Sequence, residues 1–166
     1  MSDFKNSNLN VFINDDGAIT APYFTNDKET ISQDFANFLE ESIDNLPLKT
    51  NLTLTVNSNK PLKNDLKEKI SNYYQNKIEQ NSIKLKRITI ASFFMLLIGA
   101  LLLTAYITLH LTNKNFILLG VTEISSWVFI WESVDIFFFK RKELKLSKIK
   151  YVTLLNSTVN YTQNKA

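Results

Sequence analysis

The chain has 166 residues, with no cysteine, one histidine, three glycines, three prolines, 45% hydrophobic residues and a formal charge of +3. That length suits one ordinary domain or two small ones, and the lack of cysteine excludes disulfides, iron–sulfur clusters, cysteine–zinc sites and thiol nucleophiles. A mean hydropathy of -0.10 has the look of a soluble protein, yet residues 1–83 carry a net charge of -4 and residues 84–166 a net charge of +7.

Residues 1–83 read as a small cytosolic α/β domain. Leu9, Val11 and Ile13 alternate with Asn10, Phe12 and Asn14, the pattern of a strand with one apolar face. Asp15-Asp16-Gly17 gives a turn signal, and Asn26 with Glu29 three residues later resembles a capping box. Ile31, Phe35, Phe38, Leu39, Ile43 and Leu46 then recur at helical spacing as far as Pro47. Leu52, Leu54 and Val56 alternate with threonines in a second strand. Pro61 opens a second helix, where its missing N–H costs nothing, with Leu62, Leu66, Ile70, Tyr73 and Ile78 as its stripe. This β-α-β-α order predicts parallel strands joined by a right-handed crossover. No glycine or proline falls between Lys63 and Ile98, so the second helix is expected to run on as a stalk.

From Ile88 to Asn113, 26 residues pass without an Asp, Glu, Lys or Arg. About 20 apolar residues cross the roughly 30 Å hydrocarbon core as a helix, so a transmembrane span is expected over about 88–111. It lies too deep in the sequence to be a signal peptide. A second apolar block, 116–139, follows after a very short link, and short links join antiparallel neighbours. The two blocks predict a transmembrane α-hairpin over 84–139. Lys84, Lys86 and Arg87 precede it, and Lys140, Arg141, Lys142, Lys145, Lys148 and Lys150 follow it, while the link offers only Lys114. The positive-inside bias then places both termini in the cytoplasm, and the same nine bases are candidates for contact with anionic lipid.

The second block also carries Glu123, Glu132 and Asp135. At 100° per residue, Glu123, Trp127, Trp131 and Asp135 follow one drifting i, i+4 stripe, with Glu132 falling on the side opposite Glu123. Carboxyls at membrane depth normally face a bundle interior or a wet cavity. They therefore read as protonated or hydrogen-bonded glue between helices, or as the lining of an ion or proton pathway. Asp135 would snorkel or meet Arg87. So many acids with so few partners in one hairpin imply a homo-oligomer.

Residues 140–166 form a basic cytosolic tail in which Leu144, Leu146 and Ile149 fit either an amphipathic helix or a strand. Residues 158–162 have strand character and are expected to dock on the N-terminal domain, completing a sheet that would be marginal with two strands. Catalysis finds little support. His110 is remote from a serine or aspartate partner, the glycines at 17, 99 and 120 form no phosphate loop, and Asp15-Asp16-Gly17 lacks the alternating ligands of a calcium site. No cofactor, metal or nucleic-acid partner is expected.

The run Trp-Val-Phe-Ile-Trp-Glu-Ser-Val-Asp-Ile-Phe-Phe-Phe at 127–139, followed by bases and Leu154-Leu155-Asn156-Ser157, resembles a group of small bacterial two-span membrane proteins with a Trp-Val-x-x-Trp-Glu signature in the second span and a basic C-terminal tail. The resemblance implies the bacterial plasma membrane and no particular activity. Two functions follow as expectations. One is a non-enzymatic, homo-oligomeric membrane-anchored binding, scaffold or signalling module with a cytosolic protein or small-molecule partner. The other is an oligomeric ion- or proton-conducting pore, a stress or phage-defence effector.

Overall fold

The structure, a computed structural model, describes residues 5–13, 19–23, 28–47, 50–58, 65–112 and 115–163. The expected turn at Asp15-Asp16-Gly17, the cap at Asn26, Pro61 with Leu62, and Lys114 lie outside them. The fold is α+β, with strands β1 (Lys5–Ile13), β2 (Thr50–Ser58) and β3 (Thr158–Gln163) and helices α1 (Gln33–Ile43), α2 (Leu66–Thr112), α3 (Phe116–Asp135) and α4 (Arg141–Leu155). The chain forms two compact units, residues 1–80 with 146–166, and residues 81–145.

In the first unit the strands make one parallel sheet in the order β1-β2-β3. Leu9 pairs with Leu54 and Val11 with Val56, while Val159 pairs with Leu54 and Tyr161 with Val56. The period of two therefore sends one row of apolar side chains to a single face. There they meet Ala36, Leu39 and Ile43 of α1, Leu66, Ile70 and Tyr74 of α2 and Leu154 of α4 in one core. The opposite face carries Asn6, Asn8, Asn10 and Phe12 beside Asn51, Thr53, Thr55 and Asn57 and then Thr158, Asn160 and Thr162. All-parallel sheets are usually covered on both faces; this face instead carries uncharged polar side chains, and Phe12 is 73% exposed. The third strand expected from 158–162 is present, parallel to β2.

Helix α1 starts later than the Asn26–Glu29 pattern predicts. Ile31 is held in an antiparallel bridge with Thr20, which keeps the backbone extended through Ser32. The Ser32 hydroxyl then caps the helix by accepting from the Phe35 N–H. Phe38, placed on the buried stripe by spacing, faces outward, because Ala36, Leu39 and Ile43 supply the inner face. Helix α2 is unbroken for 47 residues.

In the second unit, α2 and α3 pack through small residues. The Ser92 hydroxyl donates to the Ser133 carbonyl at 2.9 Å, and the Ser133 hydroxyl donates to the Ser92 carbonyl at 2.8 Å. Seven residues along, Gly99 faces Ser126 and Ile130 so closely that an added Cβ would lie 2.8 Å from Ile130 Cγ1 and 3.2 Å from the Ser126 carbonyl oxygen. Small residues allow such close backbone approach between two apolar helices. The Asn81 side chain donates to the Leu144 carbonyl at 2.9 Å. Both α2 and the helical run Phe116–Leu155 are long and apolar enough to cross a membrane. The second block does not end at Phe139: a π-helical turn, Ile136–Lys140, leads directly into α4, which settles Leu144, Leu146 and Ile149 as helical.

The glycines provide a direct test of this packing. Replacing Gly99 by leucine overpacks the seam, at a cost of about 1–3 kcal/mol, and lowers the thermal midpoint of the detergent-solubilised protein. The same change at Gly120, where nothing lies within 4 Å, leaves it unchanged.

Candidate functional site

Glu123, Trp127, Trp131, Glu132 and Asp135, with Ile124 and Val128, line one shallow groove of about 770 Å³ along α3. The helical period explains the stripe, and the seam explains its direction. Ser126 and Ser133 are buried on the face against α2 with Ile130 between them, so Trp127, Val128 and Trp131 fall on the other side of the helix. Trp127 and Trp131 are 52% and 65% exposed. Glu132, placed opposite Glu123 by angle alone, joins the same groove because the groove is long and open.

The acids are not equivalent. Lys140 Nζ lies 3.3 Å from a Glu132 carboxylate oxygen and 3.8 Å from one of Asp135. The partner of Asp135 is thus Lys140 and not the expected Arg87. Side chains on a helix lean toward its N-terminus, and Lys140 closes the π-helical turn that follows these acids, so the lysine reaches back along its own helical run. Glu123 is exposed at the far end of the groove and has no ion pair among the described residues. His110 lies beside Tyr106, with ring centroids 6.0 Å apart and the rings tilted at 55°.

The nine basic candidates divide between the two units. Lys84, Lys86, Arg87, Lys140, Arg141, Lys142 and Lys145 belong to the helical unit, and Lys148 and Lys150 to the sheet unit. Lys150 forms an ion pair with Asp44. Arg141 is half-buried, its guanidinium 4.8 Å from the Phe137 ring centroid, and its Nε is buried without a hydrogen-bond partner. Beside it lies a 260 Å³ cleft lined by Thr89, Ser92, Phe93, Leu96, Ser133, Val134, Phe137 and Phe138.

The sheet unit holds a separate polar cluster that sequence reading did not single out. Lys77 Nζ sits 5.4 Å from the Tyr73 ring centroid and 5.9 Å from that of Tyr151. Burial pushes the Glu40 carboxyl above its ordinary range, opposed by Lys77, reinforced by Asp44 and opposed again by Lys150. One Glu40 oxygen is buried without a partner. Burial also raises the hydroxyls of Tyr74 and Tyr151, and nearby Glu40 acts in the same direction. At the edge of the unit, Lys69 binds Glu29 at 2.7 Å and Asp65 at 3.1 Å. These bonds outweigh the opposing effect of its burial and raise its affinity for a proton.

Sequence reading missed Ser92, Gly99, Ser126 and Ser133. Their signal was a spacing of seven between small residues on each of two apolar blocks. Among the described residues, no group of three His, Asp or Glu is placed to hold a metal ion. No protein-family model, curated protein or solved structure matches the chain.

Glu40 supplies a pH test. An acid whose folded affinity for protons is raised holds more protons folded than unfolded, between its ordinary and its raised value. Stability therefore falls as pH rises through that window. Glu40→Gln removes the fall: the variant matches the wild type in acid and is modestly more stable at neutral pH, measured by denaturant unfolding in both ranges.

Proposed function

We propose that the chain is a non-enzymatic integral membrane protein: a homo-oligomeric, membrane-anchored module whose sheet unit lies in the cytosol of a bacterial cell and binds, scaffolds or signals. The observation that carries this reading is the pairing of β3 with β2. One strand precedes both long apolar helices and the other follows them, so a chain that crosses a membrane must cross it an even number of times. The basic flanks of the hairpin, against a single lysine in the link, favour the cytoplasm for that side.

The α3 groove supports the oligomer. An exposed row of two tryptophans and three acids is costly against lipid and suits a helix of another copy. Buried aromatic anchors dominate such contacts, and truncating one typically costs 2 kcal/mol or more, about 30-fold in affinity. Trp127→Ala and Trp131→Ala are each expected to shift the oligomer toward monomer by roughly that factor in native mass spectrometry from detergent. An unchanged oligomer in both variants would remove the groove from the interface.

A second reading, an ion- or proton-conducting pore, is favoured by one feature: Glu123, Glu132 and Asp135 share a single groove. It predicts a cation current across liposomes that falls when Glu123 and Glu132 are changed to glutamine. The module reading predicts no current from either protein.

A further inference from the structure

We propose that the cleft between α2 and α3 beside the Ser92–Ser133 contact seats an acyl chain of an anionic phospholipid, with the lipid phosphate on Arg141. The inference rests on the membrane reading above and adds to it a specific ligand site.

The cleft has the chemistry of a lipid tail. Its walls are Phe93, Leu96, Val134, Phe137 and Phe138, and its volume of 260 Å³ falls just below the roughly 300–1,000 Å³ usual for small-molecule pockets. Part of a narrow chain fits such a space better than a helix does. The serine hydroxyls on its floor are already spent on each other's carbonyls, so they ask nothing of an occupant.

The mouth of the cleft has the chemistry of a headgroup site. Phe137 lines the cleft and also carries the Arg141 guanidinium on its ring at 4.8 Å. Arginine matches phosphate with a planar fork of donors, and a buried charged donor without an acceptor is expensive. Here Arg141 Nε is in that state. Glu132 and Asp135, at this end of α3, are engaged by Lys140. Lys84, Lys86 and Arg87 precede Thr89 of the cleft on α2, which adds positive charge to this end of the helical unit. The π-helical turn Ile136–Lys140 shapes this end by carrying Phe137 and Phe138, whose rings meet edge to face at 5.3 Å. Single π-helical turns inside α-helices are frequent at functional sites.

The test uses the full chain in nanodiscs of equal parts phosphatidylcholine and phosphatidylglycerol, released into the gas phase for native mass spectrometry. The wild type is expected to retain one phosphatidylglycerol per chain in preference to phosphatidylcholine. Arg141→Lys keeps the charge but loses the fork, and should reduce retention by about fivefold, the effect of one lost hydrogen bond. Val134→Trp fills the cleft without touching charge and should do the same. Lys67→Gln, an equal loss of charge at an exposed position of the sheet unit, should leave retention unchanged. Equal retention of both lipids, or wild-type retention in Arg141→Lys, would overturn the site while leaving membrane insertion intact. So would a Val134→Trp protein that loses its oligomer but keeps its lipid, since the occupant would then be a helix. Release of the protein from its own membranes by alkaline carbonate would overturn the membrane reading and the site together.

Discussion

The parallel pairing of Thr53–Ser58 with Thr158–Gln163 is the constraint on which the rest of the chain depends. It joins two segments separated by the whole of both long apolar helices, so whatever those helices do, they must bring the chain back. The pairing is held from the inside. Leu54 and Val56 are almost fully buried between neighbours from β1 and β3 and the helices below, and Leu154, fully buried, is delivered by the turn of chain just before β3. Two strands alone would be marginal in water. The third strand makes the sheet unit viable and requires the intervening helices to form a hairpin.

Within the hairpin one choice of face sets two surfaces. Ser92, Gly99, Ser126 and Ser133 fix the seam by close approach and reciprocal hydrogen bonds. Their placement turns Glu123, Trp127 and Trp131 away from the seam and leaves a cleft along its flank where Phe137 supports Arg141. Lys140 pairs with Glu132 and Asp135 from within the same helical run, so Glu123 is the acid of the groove that most needs a partner from elsewhere. The oligomer and lipid readings proposed above therefore draw on different residues of one helix.

Much of this was legible in the sequence because it was written in local periodicity. The alternation Leu52-Thr53-Leu54-Thr55-Val56 fixed a strand and its buried face, and the absence of charge from 88 to 113 marked an apolar helix. The i, i+4 stripe from Glu123 to Asp135 is visible in the spacing of residues that line one groove, and β3 in the strand character of five residues. Three features depended on non-local geometry. The start of α1 moved to Ser32 because a bridge to Thr20 holds Ile31 extended, which no local cap signal reveals. The partner of Asp135 depended on a π-helical turn that standard helical angles do not contain. The Glu40–Lys77–Tyr151 cluster joins three helices far apart in sequence, so no window could show it.

The even number of crossings can be tested directly because the chain has no cysteine of its own. Single cysteines at Asn10 and Asn160, both exposed on the outer face of the sheet, and at Lys114 in the link can each be treated in intact cells with a membrane-impermeant maleimide, then again after permeabilisation. The two-span account predicts that Lys114→Cys reacts in intact cells and that Asn10→Cys and Asn160→Cys react only after permeabilisation. Reaction of Asn10→Cys and Asn160→Cys from opposite sides, or of Lys114→Cys only together with them, would contradict it.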